Sequence, residues 1–145
     1  MEFEDVLNLD CSTFELGEEF TLVRTPFVDA DDMSIFFIVY RHSEWTILTD
    51  IRYTDFRFAI KEIYDWHKLE SVGRIMKRYG LEFGPYKQVE SSSTKNHRID
   101  EVVRNYIQGL VALESLVTAL GKSEVKENQI KKEMIGFATL ETKSN

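Results

Sequence analysis

The chain has 145 residues, of which 43% are hydrophobic and 30% are charged, and this composition predicts one globular domain and excludes disordered and fibrous classes. A single cysteine, Cys11, excludes disulfide scaffolds and cysteine-rich zinc sites, and it is typical of a reducing compartment, so a cytoplasmic location is expected. The longest apolar run covers only residues 35–40, far below the roughly 20 residues of a membrane helix, so no membrane contact is expected.

Acidic residues are concentrated near the N-terminal end of the sequence. Residues 1–35 contain ten acidic residues and one basic residue, whereas the rest of the chain contains 15 acidic and 17 basic residues. Such a segment attracts a basic surface and repels nucleic acid, so direct nucleic-acid binding is not expected. The favoured interpretation is a solvated face. The alternative is an acidic inhibitor that presents this segment to a nucleic-acid-binding protein in place of phosphate.

Three strands are predicted in the first third of the chain. Residues 20–24 are β-branched and aromatic, and this strand is expected to end at Pro26, which has no N–H to donate to a sheet. Residues 29–32 supply a turn, and the apolar segment 34–40 is predicted to be the central strand. Residues 45–49 form a third strand after a short polar connection, which favours an antiparallel meander.

After Asp50 the apolar pattern changes to helical periodicity. The stripe of the first helix comprises Phe56, Ala59, Ile60, Ile63 and Tyr64. Thr54 or Asp55 is placed to cap this helix. A second helix is predicted from about residue 66 to 79, with Gly80 ending it in the left-handed conformation.

The strongest helical signal lies in residues 98–120. An apolar stripe alternates steps of four and three through Ile99, Val103, Tyr106, Leu110, Leu113, Val117 and Leu120. Further apolar side chains widen the stripe beyond what one sheet face can cover, which predicts a homodimer. The predicted dimer contact comprises Tyr106, Leu110, Leu113 and Val117. Gly121 is expected to end the helix, so residues 1–121 are predicted to be a single α+β domain and residues 122–145 a partly helical extension with a flexible end.

These elements predict an α+β fold. An antiparallel sheet of three to four strands would be covered by two short helices and one long C-terminal helix. The fourth strand would lie within residues 81–89, at an edge of the sheet because Gly84 and Pro85 interrupt it.

Several well-known catalytic and metal-binding motifs are absent from the sequence, and the Glu-x-Lys spacing of metal-dependent nucleases at residues 124–126 is interpreted as a chance match. The three histidines lack metal-ligand spacing, and neither phosphate-binding loops nor a nucleophile elbow occurs, so no catalytic residue, metal or cofactor is predicted. The candidate functional junction is formed by Asp50, Arg52 and Thr54, because strand-to-helix junctions often carry functional groups on a rigid scaffold. A turn or capping role is favoured for Asp50, and the alternative is a hydrolase or nuclease that uses it.

Four segments resemble the bacterial and phage family called domain of unknown function 1828. Its pattern has a T-P-F start, an apolar strand, an L-T-D-x-G-x-T junction and a later Y-G-V or Y-G-L. The corresponding segments here are residues 25–29, residues 34–39, residues 48–50 with Thr54, and residues 78–81. Arg52 stands where the family has glycine. The resemblance covers about residues 10–120 and implies a prokaryotic or mobile-element setting, and the family has no settled activity.

The sequence therefore favours a non-enzymatic interaction module of prokaryotic or phage origin. Its partner is expected to be another protein or a second copy of the chain. The acidic inhibitor and the hydrolase or nuclease using Asp50 are the two alternatives.

Overall fold

The computed structural model describes residues 10–42, 45–91 and 99–138, with side chains up to residue 121. The strands are β1 (Ser12–Glu15), β2 (Phe20–Val28), β3 (Ser34–Arg41), β4 (Thr46–Thr49), β5 (Leu81–Phe83) and β6 (Val89–Ser91). The helices are α1 (Tyr53–Ile60), α2 (Glu70–Arg78) and α3 (Ile99–Ala138), and a short 3₁₀ helix spans Trp66–Lys68. Among the described residues, no helix combines the length and the apolar character that crossing a membrane requires.

The six strands form one antiparallel sheet in the order β1-β2-β3-β4-β6-β5. The predicted α+β class is confirmed, but the predicted count of three to four strands is wrong. One added strand is β1, which has a single apolar side chain, Phe14, and therefore a weak strand signal. The other arises because residues 81–89 form the start of a hairpin, with Gly84 and Pro85 in the turn between β5 and β6.

β2 continues past Pro26, contrary to the prediction that the strand ends there. Pairing with β3 is regular up to Arg24, which lies opposite Phe36, and it resumes only where Val28 lies opposite Ser34. Pro26 falls in the shifted stretch between these pairs. A bulge of this kind accommodates a residue that has no N–H to donate, so the strand can extend to Val28.

The long helix α3 is covered by its own chain. Its apolar stripe packs with side chains of β2, β3 and β4, such as Val23, Phe37 and Leu48, and with α1 and α2. The four residues predicted to form a dimer contact are at most 3% exposed: Tyr106, Leu110, Leu113 and Val117. This corrects their predicted role, because side chains buried in one chain present no surface to a second copy.

α3 is a single helix of 40 residues that passes through Gly121 without ending. A Cβ atom at Gly121 would lie 3.0 Å from Cδ of Lys61, so the glycine makes room for this side chain and does not terminate the helix. The expected boundary after residue 121 therefore falls within a continuous helix. The end of the predicted extension, residues 139–145, lies outside the described residues.

Candidate functional site

Asp50 joins three segments of the chain at the end of β4. Its carboxylate is buried. Oδ1 accepts hydrogen bonds from the backbone N–H groups of Arg52 at 3.0 Å and Val89 at 2.9 Å. Oδ2 accepts a hydrogen bond from the backbone N–H of Thr54 at 2.9 Å. Asp50 therefore supplies the acceptor for the first turn of α1, and the predicted caps, Thr54 and Asp55, do not. Burial raises the pKa of the Asp50 carboxyl, while the Thr54, Val89 and Arg52 donors act in the opposite direction.

The turn after Asp50 is strained. Ile51 and Arg52 both adopt the left-handed backbone conformation, with φ values of 52° and 66°. This region costs an L residue roughly 1–2 kcal/mol, and a β-branched side chain such as that of Ile51 is rarely found there. Glycine, which the resembled family has at the position of Arg52, would adopt it without a Cβ clash. The strained turn leaves the Ile51 side chain 57% exposed.

α1 turns its apolar stripe toward solvent. Phe56 and Ile60, two of the residues whose spacing predicted the helix, are 60% and 49% exposed. The buried residues of α1 are Thr54, Arg57 and Phe58. Phe58 stacks on Trp66 with ring centroids 4.6 Å apart and anchors the inward face. The helix is therefore rotated away from the orientation that its apolar periodicity alone would favour.

An ion network around Arg57, buried apart from the exposed Asp31 side chain, accounts for this rotation. Nε and Nη2 of Arg57 donate to the two carboxylate oxygens of Glu114 on α3, at 2.9 and 3.1 Å, and Nη1 donates to Asp31 at 2.5 Å. Asp29 lies 3.9 Å from Nε and accepts a hydrogen bond from the Tyr53 hydroxyl. The hydrogen bonds to Glu114 raise the pKa of Arg57 above its already high usual value. The network ties the β2–β3 turn to α1 and α3.

A depression of about 610 Å³ opens beside the Asp50 turn. Its lining comprises Phe36, Asp50, Ile51, Arg52, Tyr53, Asp55, Phe56 and Ala59. The acidic side chains in this lining already have partners, since Asp55 accepts the indole N–H of Trp66 at 2.7 Å and pairs with Arg52 at 3.0 Å. Apolar groups therefore dominate what the depression offers a ligand. We refer to Ile51, Phe56 and Ile60, together with this depression, as the α1 surface.

The predicted junction is assembled as one unit, but its members differ in what they can contact. Asp50 and Thr54 are buried and hold the turn, whereas the Arg52 side chain is largely exposed. The sequence patterns did not indicate Arg57 and Glu114. For Glu114 the available signal was an acidic residue next to the apolar stripe of α3, whereas Arg57 lies outside the apolar stripe of α1 and gave no signal. Within the part of the chain that the structure describes, no three His, Cys, Asp or Glu side chains are grouped to hold a metal ion.

Comparison of the chain with protein-family models, with curated proteins and with solved structures returns no match. The resemblance to domain of unknown function 1828 therefore stays a prediction. The geometry of the α1 surface and of the Asp50 turn provides the basis for assigning a function.

Proposed function

We propose that this protein is a non-enzymatic interaction module that binds a partner protein through the α1 surface. The observation that carries the proposal is the exposure of Phe56 and Ile60 on one face of α1. Neighbouring apolar side chains that remain exposed on a folded domain mark interaction surfaces. The buried pair of Arg57 and Glu114 holds the helix in this orientation. The exposure of Phe56 and Ile60 is therefore a consequence of the fold.

The strained turn supports the same surface. Residues held in sparsely populated backbone conformations concentrate at functional sites, where the surrounding structure compensates for their cost. Here the hydrogen bonds to Asp50 hold Arg52 in the turn, and Ile51 lines the same depression as Phe56. The strain thus adds a third exposed apolar side chain to the surface that α1 presents.

The charge of the chain favours a different, basic protein as the partner. The net charge is −7, so two copies repel each other, whereas a positively charged protein is attracted. An aromatic or aliphatic anchor from that partner would fill the depression, as hot-spot side chains do in protein interfaces. We therefore assign the α1 surface to a heterologous partner and treat self-association as an outcome for the test to detect.

The two alternative functions have less support from the described residues. A hydrolase or nuclease would need the Asp50 carboxylate to reach a substrate, a water or a metal, but its oxygens accept three backbone N–H groups in a buried position. An acidic inhibitor would need one acidic face. Asp29 and Asp31 are engaged with Tyr53 and Arg57, and the acids of residues 15–19 lie at the other end of β2.

The test compares two serine variants of exposed apolar side chains. Phe56→Ser alters the α1 surface, and Leu16→Ser is the matched control because Leu16 is 57% exposed in the β1–β2 turn. Each tagged chain is used to capture proteins from a lysate of the source organism, and light scattering measures its mass in solution. We expect one basic protein to bind wild type and Leu16→Ser but not Phe56→Ser.

Two outcomes would contradict the proposal. Equal capture of the same proteins by all three chains would show that α1 does not form the binding surface. A mass above the 17.0 kDa of one chain that falls on the Phe56→Ser substitution would assign the surface to a second copy.

A further inference from the structure

The sheet face that points away from the core carries a row of aromatic side chains. Phe14 on β1 and Phe20 on β2 are 46% and 43% exposed. The Phe20 ring lies 4.7 Å from that of Tyr40, which lies 5.5 Å from Trp45. The open face of an antiparallel sheet is usually polar, so this arrangement is not explained by folding alone. We refer to these four residues as the aromatic row.

Acidic side chains border the aromatic row. Glu18 and Glu19 are exposed in the turn that leads to Phe20. The carbonyl of Glu19 accepts the N–H of Arg41 at 2.8 Å, which fixes the turn against the end of β3. The negative charge of Glu19 raises the pKa of the Tyr40 hydroxyl, so this carboxylate lies close to the row. Aromatic surface and negative charge are therefore combined at one place.

A guanidinium group already occupies part of this face. The Arg24 side chain lies over the Phe14 ring, with Cζ 5.6 Å from the ring centroid. This distance is within the range of about 6 Å over which a cation is attracted to the negative face of an aromatic ring. This contact is an example within the chain of an arginine packed on this face, and it already covers the Phe14 ring.

We propose that the aromatic row binds an arginine-bearing basic segment of a partner protein. Arginine suits the surface because its planar guanidinium stacks on rings, pairs with carboxylates and is more weakly hydrated than lysine. Single-stranded nucleic acid also stacks on aromatic side chains, but the bordering glutamates repel its phosphates. Along β3, Tyr40 of the row lies four residues from Phe36, which lines the depression of the α1 surface, so the two surfaces are distinct, and the proposal does not require the α1 surface to be functional.

The experiment measures binding of a short fluorescent peptide of alternating arginine and glycine by fluorescence anisotropy. A peptide with lysine in place of arginine and a labelled oligothymidylate are the comparison probes, all at about 0.15 M salt, where distant charges are largely screened. Phe20→Leu keeps apolar volume but removes the ring, and Glu19→Gln removes one charge at constant size. Glu70→Gln is the matched charge control, since Glu70 is exposed on α2.

Wild type should bind the arginine peptide more tightly than the lysine peptide and should not bind oligothymidylate. Phe20→Leu should weaken arginine-peptide binding by roughly two- to fivefold, the effect of losing one exposed cation–π contact. Glu19→Gln should also weaken it, whereas Glu70→Gln and Phe56→Ser should behave as wild type. The unchanged result for Phe56→Ser separates this proposal from that for the α1 surface.

Three results would overturn the proposal. Equal affinity for the two peptides would show that the binding comes from general charge attraction. Equal effects of Glu19→Gln and Glu70→Gln would show the same. Oligothymidylate binding that Phe20→Leu abolishes would instead make the row a nucleic-acid platform. Circular dichroism checks that each variant is folded, and if Phe20→Leu is not, the comparison of the two glutamate variants decides the question.

Discussion

Replacing Arg57 by leucine should destabilise the fold strongly. Arg57, Asp29 and Glu114 are all at most 8% exposed, and the guanidinium is the cation that faces both carboxylates. Arg57→Leu leaves these two buried carboxylates without it. Removing one partner of a buried ion pair costs about 3–5 kcal/mol, which is a large part of the roughly 5–15 kcal/mol that stabilises a typical domain.

A double variant tests whether the loss comes from the unpaired charge. Arg57→Leu combined with Glu114→Leu removes the pair as a unit, and apolar residues of similar volume often replace such a pair at little cost. We expect the double variant to be more stable than the sum of the single effects by about 1–3 kcal/mol. Full recovery is not expected, because the buried Asp29 carboxylate loses its guanidinium partner and keeps hydrogen bonds from the Tyr53 hydroxyl and two backbone N–H groups.

Urea unfolding followed by circular dichroism measures the free energy of unfolding of these variants, since a domain of this size is treated as two-state. Arg74→Leu is the matched control, because the pair of Arg74 with Glu70 is exposed, and it should change the free energy by less than about 0.5 kcal/mol. An Arg57→Leu variant within about 1 kcal/mol of wild type would refute the reasoning that the network holds α1 in its orientation.

Three further outcomes are expected. Asp50→Ala should lower the free energy of unfolding by more than about 2 kcal/mol, because three backbone N–H groups lose their acceptor at about 1–3 kcal/mol each. A smaller decrease of this free energy, measured by urea unfolding, would show that water replaces the carboxylate as acceptor. Arg52→Gly should leave the free energy of unfolding unchanged or raise it by up to about 1 kcal/mol, because glycine adopts a φ of 66° without strain. A clear decrease of this free energy would show that loss of the Arg52–Asp55 pair has the larger effect. The hydrogen bond from Arg57 lowers the pKa of the Asp31 carboxyl below its ordinary value. Burial tends to raise the pKa of the Asp55 carboxyl, but hydrogen bonds from Trp66 and Arg52 outweigh burial and lower that pKa. Both carboxylates therefore stabilise the fold at a pH above their ordinary pKa, and they lose this contribution as the pH falls through the lowered pKa values. The melting temperature should therefore drop in acid, and it should drop less steeply in Asp55→Asn than in wild type. Equal slopes of melting temperature against pH in the two proteins would contradict this assignment.

Local patterns in the sequence determined the type and approximate position of most elements. The continuous apolar run of β3 and the helical stripe of α3 reflect the repeat of each backbone conformation, which needs no knowledge of distant residues. Gly80 adopts a φ of 68° beyond the end of α2, as turn chemistry predicts. Asp50 was likewise identifiable, because its position between a strand and a helix favoured a turn or capping role.

Only the tertiary structure decided which faces these elements bury. α1 exposes Phe56 because Arg57 pairs with Glu114, 57 positions further along the chain, and periodicity within α1 contains no information on that partner. The stripe of α3 that predicted a dimer is covered because β6 adds Val89 to the core and because α1 and α2 pack beside the long helix. The aromatic row likewise arises from cross-strand register, which places Phe20 opposite Tyr40. Each of these outcomes depends on contacts between segments that are distant in the sequence. The fold brings these segments together, and a local sequence pattern does not encode the free energy of their contacts.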